Sequence, residues 1–66
     1  MDKIEFYDED SDNIIKMVDS LMVPPVGAKI SIRNETWIVT NVTYAIDKFD
    51  KPFESTMRAC VDLRRA

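Results

Sequence analysis

The sequence predicts a mainly β protein, a small antiparallel barrel or open roll of four or five strands. Three observations lead to this class. The run 24–27 (Pro-Pro-Val-Gly) holds two of the three prolines and the only glycine, which is typical of a rigid turn. Apolar and polar residues alternate immediately afterwards, in residues 29–33. They alternate again in residues 56–63, which predicts the last strand.

The acidic N-terminal part, residues 1–22, leaves two structures open. Residues 3–8 alternate and predict a strand, and the Asp-rich residues 8–13 predict a turn. Residues 13–22 fit the apolar stripe of a short helix, but they also fit the second strand of a hairpin. This part is therefore a hairpin or a strand with a short helix.

Residues 23–66 predict the barrel-like core of a single domain that covers residues 1–66. A chain of 66 residues buries only about 60% of its unfolded surface, so its core is thin. Its single cysteine, Cys60, cannot form an internal disulfide. Association with a second copy is therefore expected as one source of stability.

Two details of the chain path follow from residues 34–46. Asn34 and Glu35 form a short hairpin turn, in which Asn34 can adopt the left-handed conformation. Trp37 and Val39 share one parity, whereas Val42 and the alternate residues after it share the other. This switch predicts a bulge near residues 40–41, and bent strands of this kind close small barrels.

The pattern Pro-x-Val-Gly-x-x-Ile-x-Ile, followed by a turn, an aromatic residue and Val-x-x-Val, resembles small SH3-like barrel proteins. Many such proteins are encoded by phages and prophages. The matching residues are Pro24, Val26, Gly27, Ile30, Ile32, Trp37, Val39 and Val42. Ala28 stands where the family often has an acidic residue. The resemblance implies an SH3-like barrel and a viral or mobile-element origin, but it implies no activity, because such barrels serve unrelated roles.

Composition excludes most chemistry. The chain has no histidine, one cysteine and one glycine, so it lacks the base for nucleophilic catalysis and the loop for cradling phosphate. The net charge is −3, with −5 in residues 1–22 and +2 in residues 23–66. A negative chain without a basic run is poorly suited to grip a phosphate backbone. We therefore expect no enzyme activity and no cofactor.

The acidic turn also has the spacing of a calcium-binding loop. Asp8, Asp10 and Asp12 alternate, and Asp19 falls at the twelfth position. Asn13 replaces the glycine that such a loop needs, and Asp19 is shorter than the usual glutamate. A solvated turn is the favoured interpretation, and no metal site is predicted.

Aromatic residues provide candidates for protein contact. Phe49 and Phe53 lie in a charged loop, where they either fold back over the core or present an apolar surface. Trp37 and Tyr44 fit core aromatics, and the alternative is a surface anchor for a partner.

The leading functional prediction is a non-catalytic protein-binding module, encoded by a phage or mobile element, that contacts another protein or assembles with itself. The first alternative is an acidic inhibitor that mimics nucleic acid and occupies a host nucleic-acid-binding or defence protein. Its acidic residues are Asp8, Glu9, Asp10, Asp12 and Asp19. The second alternative is a nucleic-acid-binding barrel, with Trp37 or Phe49 as a stacking platform. Its basic residues, on one face, would be Lys29, Arg33, Arg58, Arg64 and Arg65. The acidic N-terminus and the absence of a long apolar run predict a cytoplasmic protein without membrane contact.

Overall fold

A computed structural model describes residues 3–20, 22–46 and 57–66. These residues form five strands and no helix, so they include none that is long and apolar enough to cross a membrane. The strands are β1 (Lys3–Asp8), β2 (Ile14–Val18), β3 (Lys29–Ile32), β4 (Glu35–Ile46) and β5 (Met57–Arg65). They build one sheet in the order β2-β1-β5-β4-β3, curled into a half-barrel. The predicted small barrel or open roll is confirmed, and of the two structures left open for residues 13–22 the hairpin strand forms.

The sheet is mixed, because β1 and β5 run parallel. The other three strand pairs are antiparallel, as predicted. No tight turn joins β1 to β5. A tight turn would require the two strands to be antiparallel, so a parallel pair is possible here. The parallel pair places Phe6 beside Val61 and Asp8 beside Leu63 at the middle of the sheet.

The long strand β4 bends at a bulge. Val39 lies opposite Leu63, and Asn41 lies opposite Asp62, so Thr40 is the extra residue. The bulge predicted near residues 40–41 is confirmed. Because it shifts the parity of the strand, Val39 and Val42 both contact the core although they are three residues apart.

Two tight turns frame β3. The N–H of Ala28 donates to the carbonyl of Pro25 at 3.1 Å, and Gly27 between them has φ +93°, which a side chain would strain. At the other end of β3, Arg33 and Asn34 have φ 52° and 66°. Two consecutive residues at positive φ make the hairpin turn whose twist matches that of the strands. The left-handed Asn34 was predicted, and the left-handed Arg33 was not.

The core occupies the concave face of the sheet. It consists of Ile4, Phe6, Trp37, Val39, Ala59, Val61 and Leu63. Val61 and Leu63 are completely buried. Both occupy the apolar positions of the alternation in residues 56–63, which is the set predicted to face the core. Tyr44 was expected among the core aromatics, and this expectation was wrong, because its side chain is 55% exposed. Tyr44 lies near the end of β4, opposite the small residue Ala59 of β5.

We expect Leu63→Ala to lower the free energy of unfolding by about 2–5 kcal/mol, because the removed atoms leave a cavity that the sheet cannot close. A domain of this size has roughly 3–10 kcal/mol in total, so most of its stability is lost. The control is Met22→Ala, since Met22 is 84% exposed. Urea denaturation followed by circular dichroism measures both variants. If the two variants unfolded at the same urea concentration, Leu63 would not be a core residue and the prediction would be contradicted.

Candidate protein-binding cleft

The two edges of the sheet, β2 and β3, face each other across the open side of the half-barrel. β3 is antiparallel to β4, β4 is antiparallel to β5, and β5 is parallel to β1, which is antiparallel to β2. It follows that β2 and β3 run in opposite directions. Within the described residues they do not pair, so the outward-facing main-chain groups of both strands lack a strand partner.

A cleft of about 340 Å³ lies between these edges, and we call it the seam cleft. Its floor is formed by Ile4 and Phe6 of β1, and its two walls come from β2 and β3. The wall residues are Lys16, Val18, Ser20 and Met22 on one side and Ile30, Ser31 and Ile32 on the other. Most of the lining is therefore apolar, with two hydroxyl groups and a single ionisable side chain.

A second cavity of about 290 Å³ continues the cleft at its turn end, where the tips of both hairpins lie. Ile32 lines both cavities, so they lie next to each other. The other residues of this turn-end cavity are Asp8, Ile15, Arg33, Glu35, Trp37 and Arg65. The apolar cleft thus ends in a polar, charged mouth.

Trp37 is held at this mouth by β4 and by a cation. The Arg65 guanidinium carbon lies 5.3 Å from the centroid of the indole ring, and Arg65 Nη2 lies 2.7 Å from Glu35 Oε2. Trp37 itself is only 5% exposed. Its buried Nε1 has no hydrogen-bond partner among the described residues, which is an unusual state for an indole N–H.

Glu5 is the one buried charged residue of the described chain, at 7% exposure. Its parity is opposite to that of Ile4 and Phe6, so it lies on the other face of the sheet from the core. It is buried because β1 lies inside the sheet, with Met17 on one side and Cys60 on the other. No sequence signal marks β1 as an interior strand.

The Glu5 carboxylate collects three partners on the convex face. Its Oε1 accepts a hydrogen bond of 2.7 Å from the Tyr7 hydroxyl and lies 3.7 Å from the Cys60 thiol. Arg58 Nη1 lies 3.6 Å from the same oxygen. These contacts offset the cost of burying a charge.

The same cluster keeps two weak acids protonated. The hydrogen bond to Glu5 is the main cause that raises the pKa of Tyr7 to about 12, and burial and the charge of Glu5 add to it. Burial, followed by the charge of Glu5, raises the pKa of Cys60. Since a thiolate is the reactive form of cysteine, this arrangement makes Cys60 a poor nucleophile.

The predicted acidic contact residues fall into two places. Asp8, Glu9, Asp10 and Asp12 lie together at the turn between β1 and β2, where Asp8 Oδ1 accepts the Asp10 N–H at 3.0 Å and Glu9 accepts the Thr40 hydroxyl. Asp19 follows the other end of β2, roughly 17 Å of strand away. In the described parts of the chain, no three histidine, cysteine or acidic side chains group so that they could hold a metal ion.

Of the three remaining contact candidates, all aromatic, the structure describes one. Phe49 and Phe53 lie outside the described residues. Trp37 lines the turn-end cavity. The residues that build the seam cleft were not among the candidates, because they come from β1, β2, β3 and the segment after β2. Their proximity depends on the parallel pairing of β1 with β5.

Comparison with known proteins found no relative of this chain. The chain matches no protein-family model, and neither the curated proteins nor the solved structures contain a match to it.

The Glu5 cluster predicts how Tyr7 titrates. In a Tyr44→Phe background, where Tyr7 is the only tyrosine, phenolate absorbance should rise with a midpoint near pH 12. Adding Glu5→Gln removes the charged acceptor and should move the midpoint toward 10.

The folded pKa of Tyr7 lies above its unfolded value, so its stabilising contribution is complete below pH 10 and is lost as pH rises toward 12. Circular dichroism on the same samples confirms that the chain is folded during the titration. A midpoint near 10 in the folded Tyr44→Phe protein would contradict the Tyr7–Glu5 hydrogen bond.

Proposed function

We propose that this protein is a non-catalytic protein-binding module that takes an extended segment of a partner protein into the seam cleft. The observation that carries the proposal is the pair of unpaired strand edges, β2 and β3, on the two sides of an apolar cleft. A bound strand gains main-chain hydrogen bonds from an edge and places alternate side chains on the cleft floor.

The directions of the two edges constrain how a segment binds. Because β2 and β3 are antiparallel to each other, a single inserted strand is antiparallel to one edge and parallel to the other. Antiparallel pairing is slightly more stable per residue, so one edge is the main partner and the other is the wall. The segment thus needs only one edge to dock.

The floor of the cleft supports affinity as well as position. Ile4 and Phe6 belong to the core, and Ile30 and Ile32 pack against it. A side chain inserted here extends the hydrophobic core of a small domain, and each fully buried aliphatic side chain contributes about 1.5–3 kcal/mol. Binding should therefore also raise the melting temperature.

The acidic turn supports a second candidate, the inhibitor that mimics nucleic acid. The observation that favours it is the clustering of exposed Glu9, Asp10 and Asp12 on one turn. The separation of Asp19 from them leaves a smaller acidic array than the sequence predicted. The viral or mobile-element origin and the cytoplasmic location stay predictions.

A peptide titration tests the seam cleft. The probe is an acetylated and amidated hexapeptide that alternates threonine and valine, added to the full-length protein and followed by amide chemical shifts. We expect the shifts to concentrate in β2, β3 and the facing residues of β1. Analytical ultracentrifugation at the same concentration checks that the protein is monomeric, since a second copy in the cleft would exclude the peptide.

Val18→Lys should abolish this binding, because Val18 lines the cleft and a lysine there places a charge among apolar groups. The matched control is Val26→Lys, since Val26 is 62% exposed and lines none of the cavities described above. Shifts at the acidic turn alone, or equal binding by both variants, would contradict a binding role for the cleft.

A further inference from the structure

We propose that the partner segment is acidic: an extended strand with apolar residues at alternate positions and a carboxylate that pairs with Lys16. Arg33 supplies a second cation at the turn end. This inference rests on the proposed function and specifies the chemistry that the seam cleft recognises. The positive charge of Lys16 and Arg33 favours an acidic segment over other occupants.

Among the residues that the structure describes, Lys16 is the only ionisable side chain that lines the seam cleft. It lies in the middle of β2, opposite Phe6, and no carboxylate lies within ion-pair distance of it among the described residues. Across a strand pair, facing side chains have Cβ atoms about 4.5–5.5 Å apart, so a residue opposite Lys16 in a bound strand is within its reach. A carboxylate at that position would form an ion pair with the ammonium group of Lys16.

Arg33 adds a cation at the turn end. Glu35 there is paired with Arg65, whereas Arg33 makes no ion pair with any described residue. Asp8 lines the same cavity as a carboxylate without an ion pair among the described residues, and its Oδ1 accepts the Asp10 N–H. The tight hairpin turn sets the backbone position of Arg33 at this mouth, where its φ is 52°. Guanidinium groups suit carboxylates because they present two parallel donors.

Other occupants fit these charges less well. A basic segment would meet Lys16 without compensation. A nucleic acid would bring phosphates to Lys16 and Arg33, but its backbone lacks the amide groups that pair with a strand edge. An acidic polypeptide matches both the edges and the cations.

The test compares three hexapeptides with the same apolar positions, in which one central threonine is kept, replaced by glutamate or replaced by lysine. Isothermal titration at low salt measures their affinities for the wild-type protein. We expect the glutamate peptide to bind about threefold to fivefold more tightly than the threonine peptide, and the lysine peptide to bind more weakly than either. A hexathymidylate serves as the nucleic-acid probe and should not bind.

Two matched pairs of variants assign the effect. Lys16→Gln should remove most of the preference for glutamate, measured as the ratio of the glutamate peptide's affinity to the threonine peptide's affinity for the same variant. Lys29→Gln should retain the preference, since Lys29 is exposed but lines neither cavity. A fourth peptide carries the glutamate at one end instead of at the centre. Arg33→Gln should weaken the preference for this peptide over the threonine peptide, and Arg64→Gln is the control.

The outcomes separate the two proposals. If none of the peptides binds, the cleft is not a strand-binding site and the proposed function fails. If all three peptides bind with equal affinity, the function stands and the acidic chemistry is wrong. Binding of the hexathymidylate that Lys16→Gln abolishes would also overturn the acidic-polypeptide assignment, in favour of the nucleic-acid alternative.

Discussion

The parallel pairing of β1 with β5 is the interaction on which the rest of the structure depends. It joins the hairpin β1–β2 to the unit β3–β4–β5, and among the described residues these parts share no other strand pairing. Five of the seven described core residues lie on this pair: Ile4 and Phe6 on β1, and Ala59, Val61 and Leu63 on β5. A two-stranded hairpin is only marginally stable alone, so the folding of β2 also depends on this pair.

The same pairing decides what the open side of the half-barrel is like. Because β5 is parallel to β1, the outer strands β2 and β3 run antiparallel and have the correct directions to pair with each other. They instead stand apart across an apolar cleft whose floor is formed by β1. Exposed edges are usually covered or charged in soluble proteins, which is why an open, apolar seam supports a binding role.

Local features of the fold could be predicted from the sequence, and long-range features could not. Alternation revealed the strands, the parity switch located the bulge at Thr40, and Asn34 identified the turn, because each depends on a few neighbouring residues. The burial of Glu5 and the exposure of Tyr44 depend on which strands lie beside them. The cleft is hidden for the same reason: Lys16 and Ile30 are fourteen positions apart in the sequence and meet only through the β1–β5 pair.

Amide hydrogen exchange of the free protein tests the central claim, that the edges of β2 and β3 are open in solution. Amides of β1 and β5 should exchange slowly, because both strands are paired on their two sides. In β2 and β3, every second amide points away from the strand's only partner, so these amides should exchange nearly as fast as in an unfolded chain. Slow exchange at every amide of both edges would show that β2 and β3 pair with each other and that the cleft is closed.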